Sequence, residues 1–408
     1  MGHTRRWRRR IIRTEAGTVS IRRHHGMKIL YAHSFYRVPG GEDRHVRDQV
    51  DLMSRNHTVE LLGESNVDLD ESPKTAVRMM HSRAKTEAVG TLIDRFRPDV
   101  VHLHNMYPSL GPAVILAAHQ RRIPLIMTVH NFRLRCPNGF MFTEGAPCRR
   151  CERGIYVHAL THACFGSKRQ ATAYATILWA HRFVMDLERR IAMFVVPSDF
   201  MRRRMLEWGV NKARIRMVRH FIDLTHARLA GPALGTYGAF LGRLSPEKGL
   251  PTLLRALGRA GDPPFLVVGD GPQRESLELL ARRLGLSNTR FLGQLTHADA
   301  TALLFGARYV AITSISEETA SLSALEGLAA ARPLLVSDRG ALPELVASGA
   351  GLLCRPGDED ELSQRIIQLM NDDNLCRRAS IEAGRFAREF LSRERHVADL
   401  EAAYKEIV

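Results

Sequence analysis

The sequence predicts an α/β fold with parallel sheets, divided between two domains. Strand-like apolar runs alternate with helix-like amphipathic segments along the chain, which is the pattern of β-α-β units. The 408 residues exceed what one hydrophobic core usually supports, because single cores rarely grow past about 250 residues. The hydrophobic content of 45% and the charged content of 25% are typical of a globular protein. Because no run of about 18 apolar residues occurs, no membrane-spanning helix is expected.

The first domain is predicted over residues 27–230. Its first strand leads into the pair Gly40-Gly41, which turns the chain into a helix, and Ser198 is expected to cap a later arginine-rich helix. The predicted strands are 28–33, 58–62, 100–104, 125–130 and 194–197, and the predicted helices are 43–54 and 84–96.

The second domain is predicted over residues 231–391, after a linker rich in glycine, proline and alanine at 230–238. Its strands are expected from Ala239 onward and at 265–269, 289–292, 309–312 and 334–337. Helices are predicted from 360 to 408, and the last of them, 392–408, forms a separate C-terminal element.

The N-terminal residues 1–26 are predicted to be a disordered basic extension without a folded role. They are rich in arginine, contain Glu15 as their one acidic residue and lack the apolar core of a secretory signal. The first strand begins at Met27. The formal net charge of the whole chain is +16, which favours anionic partners such as a phosphorylated substrate or an anionic membrane surface.

The region after the linker carries basic and glycine-rich signals for a sugar diphosphate. Arg243 and Lys248 lie on one loop after a predicted strand, where they could neutralise a diphosphate. The next strand ends in Gly269-Asp270-Gly271, and ligands of open α/β sheets bind beyond the carboxyl ends of strands. We therefore expect Arg243 and Lys248 in catalysis and the glycine turn in substrate binding.

Two glutamates, Glu318 and Glu326, complete this set with seven residues between them. Glu326 lies on a predicted helix at 320–331 and Glu318 just before it, near a helix N-terminus that suits an anion. Glu317 is adjacent, and only the spacing selects Glu318. Carboxylates accept hydrogen bonds from the hydroxyl groups of a sugar and a ribose.

The order and spacing of these motifs resemble the C-terminal half of a retaining glycosyltransferase of family 4. The resemblance implies the GT-B fold, in which two Rossmann-like domains face a central cleft and the final helix crosses back to the first domain. It also implies that Glu326 holds the ribose and that Glu318 reaches the donor sugar. The family's usual Gly-Phe-Gly after the first glutamate is replaced here by Thr319-Ala-Ser-Leu-Ser, which leaves the donor sugar undefined.

The first domain offers further candidates at the ends of its strands. Gly40 and Gly41 follow the first strand, where backbone N–H groups can face phosphate or sugar, and His104-Asn105 and His130-Asn131 follow two others. The resemblance assigns His130 to the donor sugar as a catalytic residue. His102 alternates with His104 and is expected to face the opposite side as a structural residue.

The same resemblance suggests a mechanism without a catalytic metal. The acceptor would attack on the face from which the diphosphate leaves, and the departing phosphate would take the acceptor's proton. No Asp-x-Asp pair is placed for a divalent cation. Arg243 and Lys248 would stabilise the leaving group instead.

Four of the six cysteines are clustered in the sequence. Their central Cys-x2-Cys pair is a common half of a structural zinc site, whereas two disulfides or unligated thiols remain alternatives. Cys354 and Cys376 are expected to be ordinary buried cysteines. The clustered residues are Cys136, Cys148, Cys151 and Cys164.

The resemblance implies an enzyme that moves a sugar from a UDP- or GDP-sugar to a glycan or lipid-linked acceptor in cell-surface polysaccharide synthesis. The segment 168–190, with Trp179 and Phe183 among basic side chains, and Arg202, Arg203 and Arg204 after it, could rest on anionic lipid. The protein is therefore expected in the cytoplasm, with peripheral contact at the inner face of the membrane. The alternatives are a sugar-nucleotide epimerase of the same fold and a nucleic-acid-binding protein. The chain lacks the aromatic-basic patterns of the latter, so no nucleic-acid partner is expected.

Overall fold

The computed structural model describes residues 26–38, 40–66, 73–162, 164–165, 167–224 and 235–408. The predicted N-terminal extension, apart from Gly26, lies outside the described residues. So do the predicted domain boundary at 230/231 and the first half of the linker predicted at 230–238.

The first half of the chain alternates strands with helices. In chain order these are β1 (Lys28–Phe35), α1 (Gly41–Met53), β2 (Thr58–Ser65), α2 (Pro73–Met80), α3 (Arg83–Phe96), β3 (Val100–Leu103), α4 (Ala113–Gln120), β4 (Leu125–Thr128), β5 (Phe142–Thr143), β6 (Ala146–Pro147), α5 (His158–Thr161), α6 (Lys168–Trp179), β7 (Met193–Val196), α7 (Asp199–Glu207) and β8 (Ile215–Met217). A π-helical turn, Ala180–Val184, and 3₁₀ turns at Leu187–Arg190 and Lys212–Arg214 lie between them.

Six of these strands form a parallel sheet in the order β2-β1-β3-β4-β7-β8. The chain leaves β1 toward β2 and then returns to β3 on the other side of β1. The order therefore reverses between β1 and β3, and their carboxyl ends flank the crevice where ligands bind in such sheets. β5 and β6 form a separate two-stranded hairpin.

The second half repeats the α/β pattern. In chain order its elements are β9 (Tyr237–Leu241), α8 (Leu250–Arg259), β10 (Phe265–Val268), α9 (Arg274–Arg283), β11 (Thr289–Gly293), α10 (His297–Gly306), β12 (Ala307–Ile312), α11 (Leu322–Ala329), β13 (Leu334–Ser337), α12 (Leu342–Val346), β14 (Gly351–Cys354), α13 (Glu359–Asn371), α14 (Asp373–Phe390) and α15 (Arg393–Lys405). A 3₁₀ turn, Pro246–Lys248, precedes α8.

The second sheet is also parallel and has the order β11-β10-β9-β12-β13-β14. Its order reverses between β9 and β12, so the loops after these two strands flank its binding crevice. Helix α8 buries Leu250, Leu253, Leu254 and Leu257 along one stripe, with the spacing of an amphipathic helix that covers a sheet. The predicted α/β class with two parallel sheets is confirmed.

The chain forms two compact units. The first contains the described residues up to Thr128, together with Trp179–Phe194 and Tyr404–Val408. The second contains the described residues of Val129–Leu178 and Val195–Ala403. In the first unit, the Tyr404 hydroxyl lies 2.9 Å from that of Tyr31 and 2.7 Å from Nδ1 of His102, so the end of α15 packs against the strands of that unit.

Candidate functional site

The loop after β9 presents the two predicted basic residues at the crevice of the second sheet. Arg243 is exposed, whereas Lys248 lies in the 3₁₀ turn with a side chain that is 26% exposed. Gly249 has φ of 70°, and a Cβ there would overlap the carbonyl oxygen of Thr313 in the loop after β12. This close approach needs glycine and fixes the position of Lys248 beside the second loop of the crevice.

Lys248 forms an ion pair with Glu318, the predicted residue from the loop after β12. Nζ of Lys248 lies 2.7 Å from Oε1 of Glu318, and the Ser314 hydroxyl donates to the same oxygen at 2.6 Å. Burial alone would lower the pKa of Lys248, but the charge and hydrogen bond of Glu318 outweigh it and raise that pKa. A positive charge is therefore held at the carboxyl end of the second sheet.

The glycine turn Gly269–Gly271 packs against the Arg243 loop through its backbone. Gly269 has φ of 129°, and a Cβ there would overlap the carbonyl oxygen of Gly242. Leu244 N donates to the Asp270 carbonyl at 2.9 Å. The Asp270 carboxylate accepts from Gly271 N and pairs with Arg274 at 3.0 Å, and these contacts lower its pKa. In this structure the turn supports the basic loop, and its contact with substrate stays a prediction.

Glu326 is the second predicted carboxylate, and its side chain is 12% exposed. It lies on α11, whose N-terminus is capped by the Ser321 hydroxyl, which accepts from Ala324 N. Nδ1 of His297, at the start of α10, lies 3.7 Å from Oε1 of Glu326. The sequence did not indicate His297, because this residue lies 29 positions away on a different helix.

Glu317 and Glu318, which the sequence distinguishes only by spacing, have different contacts. Glu317 pairs with Arg149 and lies 3.5 Å from Arg204 of α7. Glu318 instead contacts Lys248. The two adjacent carboxylates are thus held by separate basic groups, and only Glu318 belongs to the crevice of the second sheet.

His130 and Asn131 follow β4, and their contacts lie within the second unit. The His130 carbonyl accepts from the Thr319 hydroxyl at 2.6 Å, and its ring stacks on that of His220 with centroids 5.3 Å apart. Burial, followed by the neighbouring histidines His130 and His396, lowers the pKa of His220 well below its ordinary value. The Asn131 side chain accepts from Arg133 N at 3.0 Å.

In the first unit, Gly40 and Gly41 begin α1 at the crevice of the first sheet. A Cβ on Gly40 would meet nothing within 4 Å, so contacts within the described part of the chain do not require glycine at this position. Asp43, which was not predicted, accepts from Gly40 N at 3.3 Å. Its other oxygen lies 2.8 Å from Nε2 of the fully buried His33, which anchors the glycine loop to β1.

His104 and Asn105 also lie in the first unit and are almost fully buried. The Asn105 amide donates to the carbonyls of Ser34 and Tyr107, both at 3.0 Å, so it holds the loop together. The expectation that His102 faces away from His104 is wrong, because their rings stack with centroids 4.4 Å apart. Strand β3 ends at Leu103, so the side-chain alternation of a strand does not reach His104.

The structure does not support the predicted zinc site. Cys136, Cys148, Cys151 and Cys164 line one small cavity, but no group of three or more potential ligands among the described residues is placed to hold a metal ion. All four cysteines are free thiols, so the alternative of two disulfides is not formed and the alternative of unligated thiols remains. Burial raises the pKa of Cys136, and burial with the neighbouring thiols raises that of Cys151 to about 12. Cys354 and Cys376 are buried, as expected.

The basic surface predicted around residues 168–204 is only partly formed. Trp179, Phe183 and Val184 are exposed beside Arg182, whose guanidinium carbon lies 5.0 Å from the Phe183 ring centroid. Arg204 is instead buried in ion pairs with acidic side chains, so it does not contribute to a basic surface. Within the described ranges, no helix has the length and apolar character needed to cross a membrane.

Two parallel α/β sheets, with a basic loop and a paired glutamate at the crevice of the second, define the class of GT-B glycosyltransferases. Residues 236–385 match the family described as Glycosyl transferases group 1, and residues 40–220 match the Glycosyl transferase 4-like domain. The chain therefore belongs to glycosyltransferase family 4.

The chain is similar to several known members. The glycogen synthase of Mycobacterium tuberculosis is 29% identical over 314 residues, which are 74% of this chain and 66% of that protein. The GDP-mannose-dependent monoacylated alpha-(1-6)-phosphatidylinositol monomannoside mannosyltransferase of Corynebacterium glutamicum is 31% identical over 153 residues, which are 35% of this chain and 40% of that protein. The matched part of the chain thus spans less than two thirds of either relative.

A solved structure shares the fold at low sequence identity. Anabaena Alr3699/HepE in complex with UDP and glucose matches with a TM-score of 0.66 and 18% identity, covering 93% of this chain and 100% of that one. The likeness supports the fold and leaves substrates to be tested.

Proposed function

We propose that this protein is a retaining glycosyltransferase that moves a sugar from a UDP- or GDP-sugar to a glycan or lipid-linked acceptor. The observation that carries the proposal is the Lys248–Glu318 pair at the point where the strand order of the second sheet reverses. A cation and a carboxylate held together there suit the two ends of the reacting bond, since the phosphate needs positive charge and the sugar needs hydrogen-bond acceptors.

Each candidate residue takes one role in this proposal. Arg243 and Lys248 bind the diphosphate and stabilise the charge that develops as it leaves. Glu326 accepts hydrogen bonds from the ribose, and Glu318 and His130 orient the donor sugar. The acceptor attacks from the face on which the diphosphate departs, and the departing phosphate oxygen takes the acceptor's proton, so the configuration at the anomeric carbon is retained.

The remaining predicted positions take supporting roles in the proposal. Gly40 leaves space for a phosphate or sugar beside the N-terminus of α1, which favours anions and begins at Gly41. The proposal also keeps a supporting role in substrate binding for His104, Asn105, Asn131 and the turn Gly269–Gly271.

Two similar proteins support UDP and GDP as the candidate nucleotides of the donor. The Anabaena structure contains UDP and glucose, and the Corynebacterium relative is described as GDP-mannose-dependent. We expect either UDP or GDP, with its cognate sugar, to raise the melting temperature in a thermal-shift panel, because a ligand that binds the folded state stabilises it. No shift with any nucleoside diphosphate or its sugars at millimolar concentration would contradict the proposal.

Turnover is expected to be independent of added divalent metal. The diphosphate is assigned to Arg243 and Lys248, which carry the positive charge that a metal supplies in other enzymes. Activity should therefore survive dialysis against EDTA, with metal content measured before and after. Loss of turnover that Mg²⁺ or Mn²⁺ restores, with other ions inactive, would overturn this assignment.

The exposed apolar and basic side chains at Trp179–Arg190 support peripheral contact with anionic lipid at the cytoplasmic face of a membrane. Trp179 is 49% exposed and Phe183 50% exposed, and the Arg189 side chain is 84% exposed. Aromatic side chains insert at the headgroup level while arginines pair with acidic lipids. A lipid-linked acceptor would be presented at the same surface.

Vesicle sedimentation tests this contact. We expect the protein to bind phosphatidylcholine vesicles that contain phosphatidylglycerol, and the double variant W179A/F183A to bind them several-fold less. The control variant is I381A, which removes an equally exposed apolar side chain, 59% exposed, from α14. Equal binding by parent and double variant, or equal binding to vesicles without phosphatidylglycerol, would contradict the contact.

A further inference from the structure

We infer that Thr319 is a positioning residue for sugar transfer, which it serves by fixing the His130 loop relative to the Glu318 carboxylate. The inference rests on the proposed function and concerns the same site. Thr319 follows Glu318 directly and is 9% exposed. Its hydroxyl donates to the His130 carbonyl at 2.6 Å, across 189 positions of sequence.

The main chain of Thr319 is held as well as its side chain. Its carbonyl accepts from the Ser198 hydroxyl at 2.7 Å, and the same hydroxyl oxygen accepts from Met201 N at 3.1 Å as the N-cap of α7. Thr319 thus connects two separate elements, the loop after β4 and the N-terminus of α7, to the segment that carries Glu318.

The neighbouring residues of this segment are fixed by other partners. The Glu318 carbonyl accepts from Ala341 N at 2.8 Å, and a Cβ on Gly340 would overlap the Glu318 backbone. Glu317 pairs with Arg149. Because each residue from 317 to 319 is bound to a different element, the segment cannot shift as a whole without breaking several contacts.

The Thr319 hydroxyl links the His130 backbone to the segment that carries Glu318, and the proposed function assigns both of these residues to the donor sugar. The Glu318 carboxylate is held by Lys248 and Ser314, whereas His130 is tied to this segment through its carbonyl. Loss of the hydroxyl would leave Lys248 and Glu326 in place but would remove the hydrogen bond that joins the His130 carbonyl to this segment. Binding of the nucleotide would then persist, while alignment of the sugar for transfer would weaken.

The test compares Thr319→Val with Thr319→Ser. Valine keeps the shape of threonine and removes the hydroxyl, whereas serine keeps the hydroxyl and removes the methyl group. We expect T319V to lower kcat by about 10- to 100-fold with an unchanged KM for the donor, because small misplacements of reacting groups have effects of this size. T319S should retain the parent kcat.

Thr91→Val is the matched control. Thr91 is exposed on α3 and its hydroxyl donates to the Glu87 carbonyl at 3.0 Å, so this change removes the same kind of bond away from every candidate residue. Melting temperatures of all variants verify folding at the assay temperature. If T319V keeps the parent kcat, or if T319S loses as much kcat as T319V, the hydroxyl does not position the reacting groups. Either result would contradict this inference and leave the proposed function standing. A parent protein that releases no nucleoside diphosphate from any donor would overturn the proposed function, and this inference with it.

Discussion

Replacing Lys248 with alanine is expected to lower kcat by about 10²- to 10³-fold, the usual effect of removing one preorganised group that stabilises a developing negative charge. The change removes the cation that lies 2.7 Å from Glu318 and leaves that carboxylate with its hydrogen bond from the Ser314 hydroxyl. Steady-state rates of nucleoside diphosphate release, measured at saturating donor, give the comparison. Arg243→Ala should reduce the same rate, since both side chains face the diphosphate in the proposed mechanism.

Lys212→Ala is the control for lost positive charge. Lys212 is exposed in a 3₁₀ turn of the second unit and belongs to none of the candidate positions. It should turn over at the parent rate. If K248A and R243A both match K212A in rate while remaining folded, the diphosphate is bound elsewhere on the protein.

Replacing Glu326 with alanine is expected to weaken donor binding by about 10- to 100-fold. A hydrogen bond to a charged group contributes about 1.5–3 kcal/mol, and each 1.4 kcal/mol changes a dissociation constant tenfold. Calorimetric titration with the donor nucleotide measures the change directly. A form of the same nucleotide that lacks the ribose hydroxyls should bind the parent and the E326A variant with equal affinity, because the lost contact is assigned to those hydroxyls.

Glu275→Ala serves as the control for Glu326→Ala. Glu275 is exposed in the first turn of α9 and its loss removes the same charge from the second unit. An E326A protein with the affinity of E275A would exclude Glu326 from the ribose site.

The sequence predicted the strands and loops that carry Lys248 and Glu318 because its signals are local. A strand, a basic loop and a helix follow one another between Tyr237 and Arg259, so their order alone places Lys248 at a strand end. The spacing of Glu318 and Glu326 likewise spans one loop and one helix. Position relative to a parallel sheet then brings Lys248 and Glu318 to the same crevice, as the ion pair confirms.

The partners of these residues could not be predicted, because they come from distant parts of the chain. Thr319 meets His130 across 189 positions, and Glu317 meets Arg149 across 168. Neither contact produces a periodicity or a motif in the sequence. The prediction that Arg204 lies on a basic surface is wrong for the same reason, since two of its acidic partners, Glu152 and Glu317, lie outside α7.

Short edge strands were missed for a different physical reason. β8 has three residues and β14 has four, and both lie at sheet edges where one side pairs with no further strand of the described sheets. Such strands need few apolar residues, so their pattern is weak.

The zinc prediction is not supported for another reason. The spacing of Cys148 and Cys151 matches a common half-site, but spacing does not determine the direction in which the thiols point.

The fate of the donor sugar tests most directly whether this protein transfers sugar. The protein is incubated with its best-binding UDP- or GDP-sugar, labelled in the sugar, with and without a mixed glycan and lipid-linked acceptor extract. We expect the acceptor to accelerate release of free nucleoside diphosphate, and one labelled sugar to enter the acceptor fraction, with retained anomeric configuration, for each diphosphate released. Interconversion of the nucleotide sugar to its epimer, without label in the acceptor, would identify an epimerase and contradict the proposed transfer.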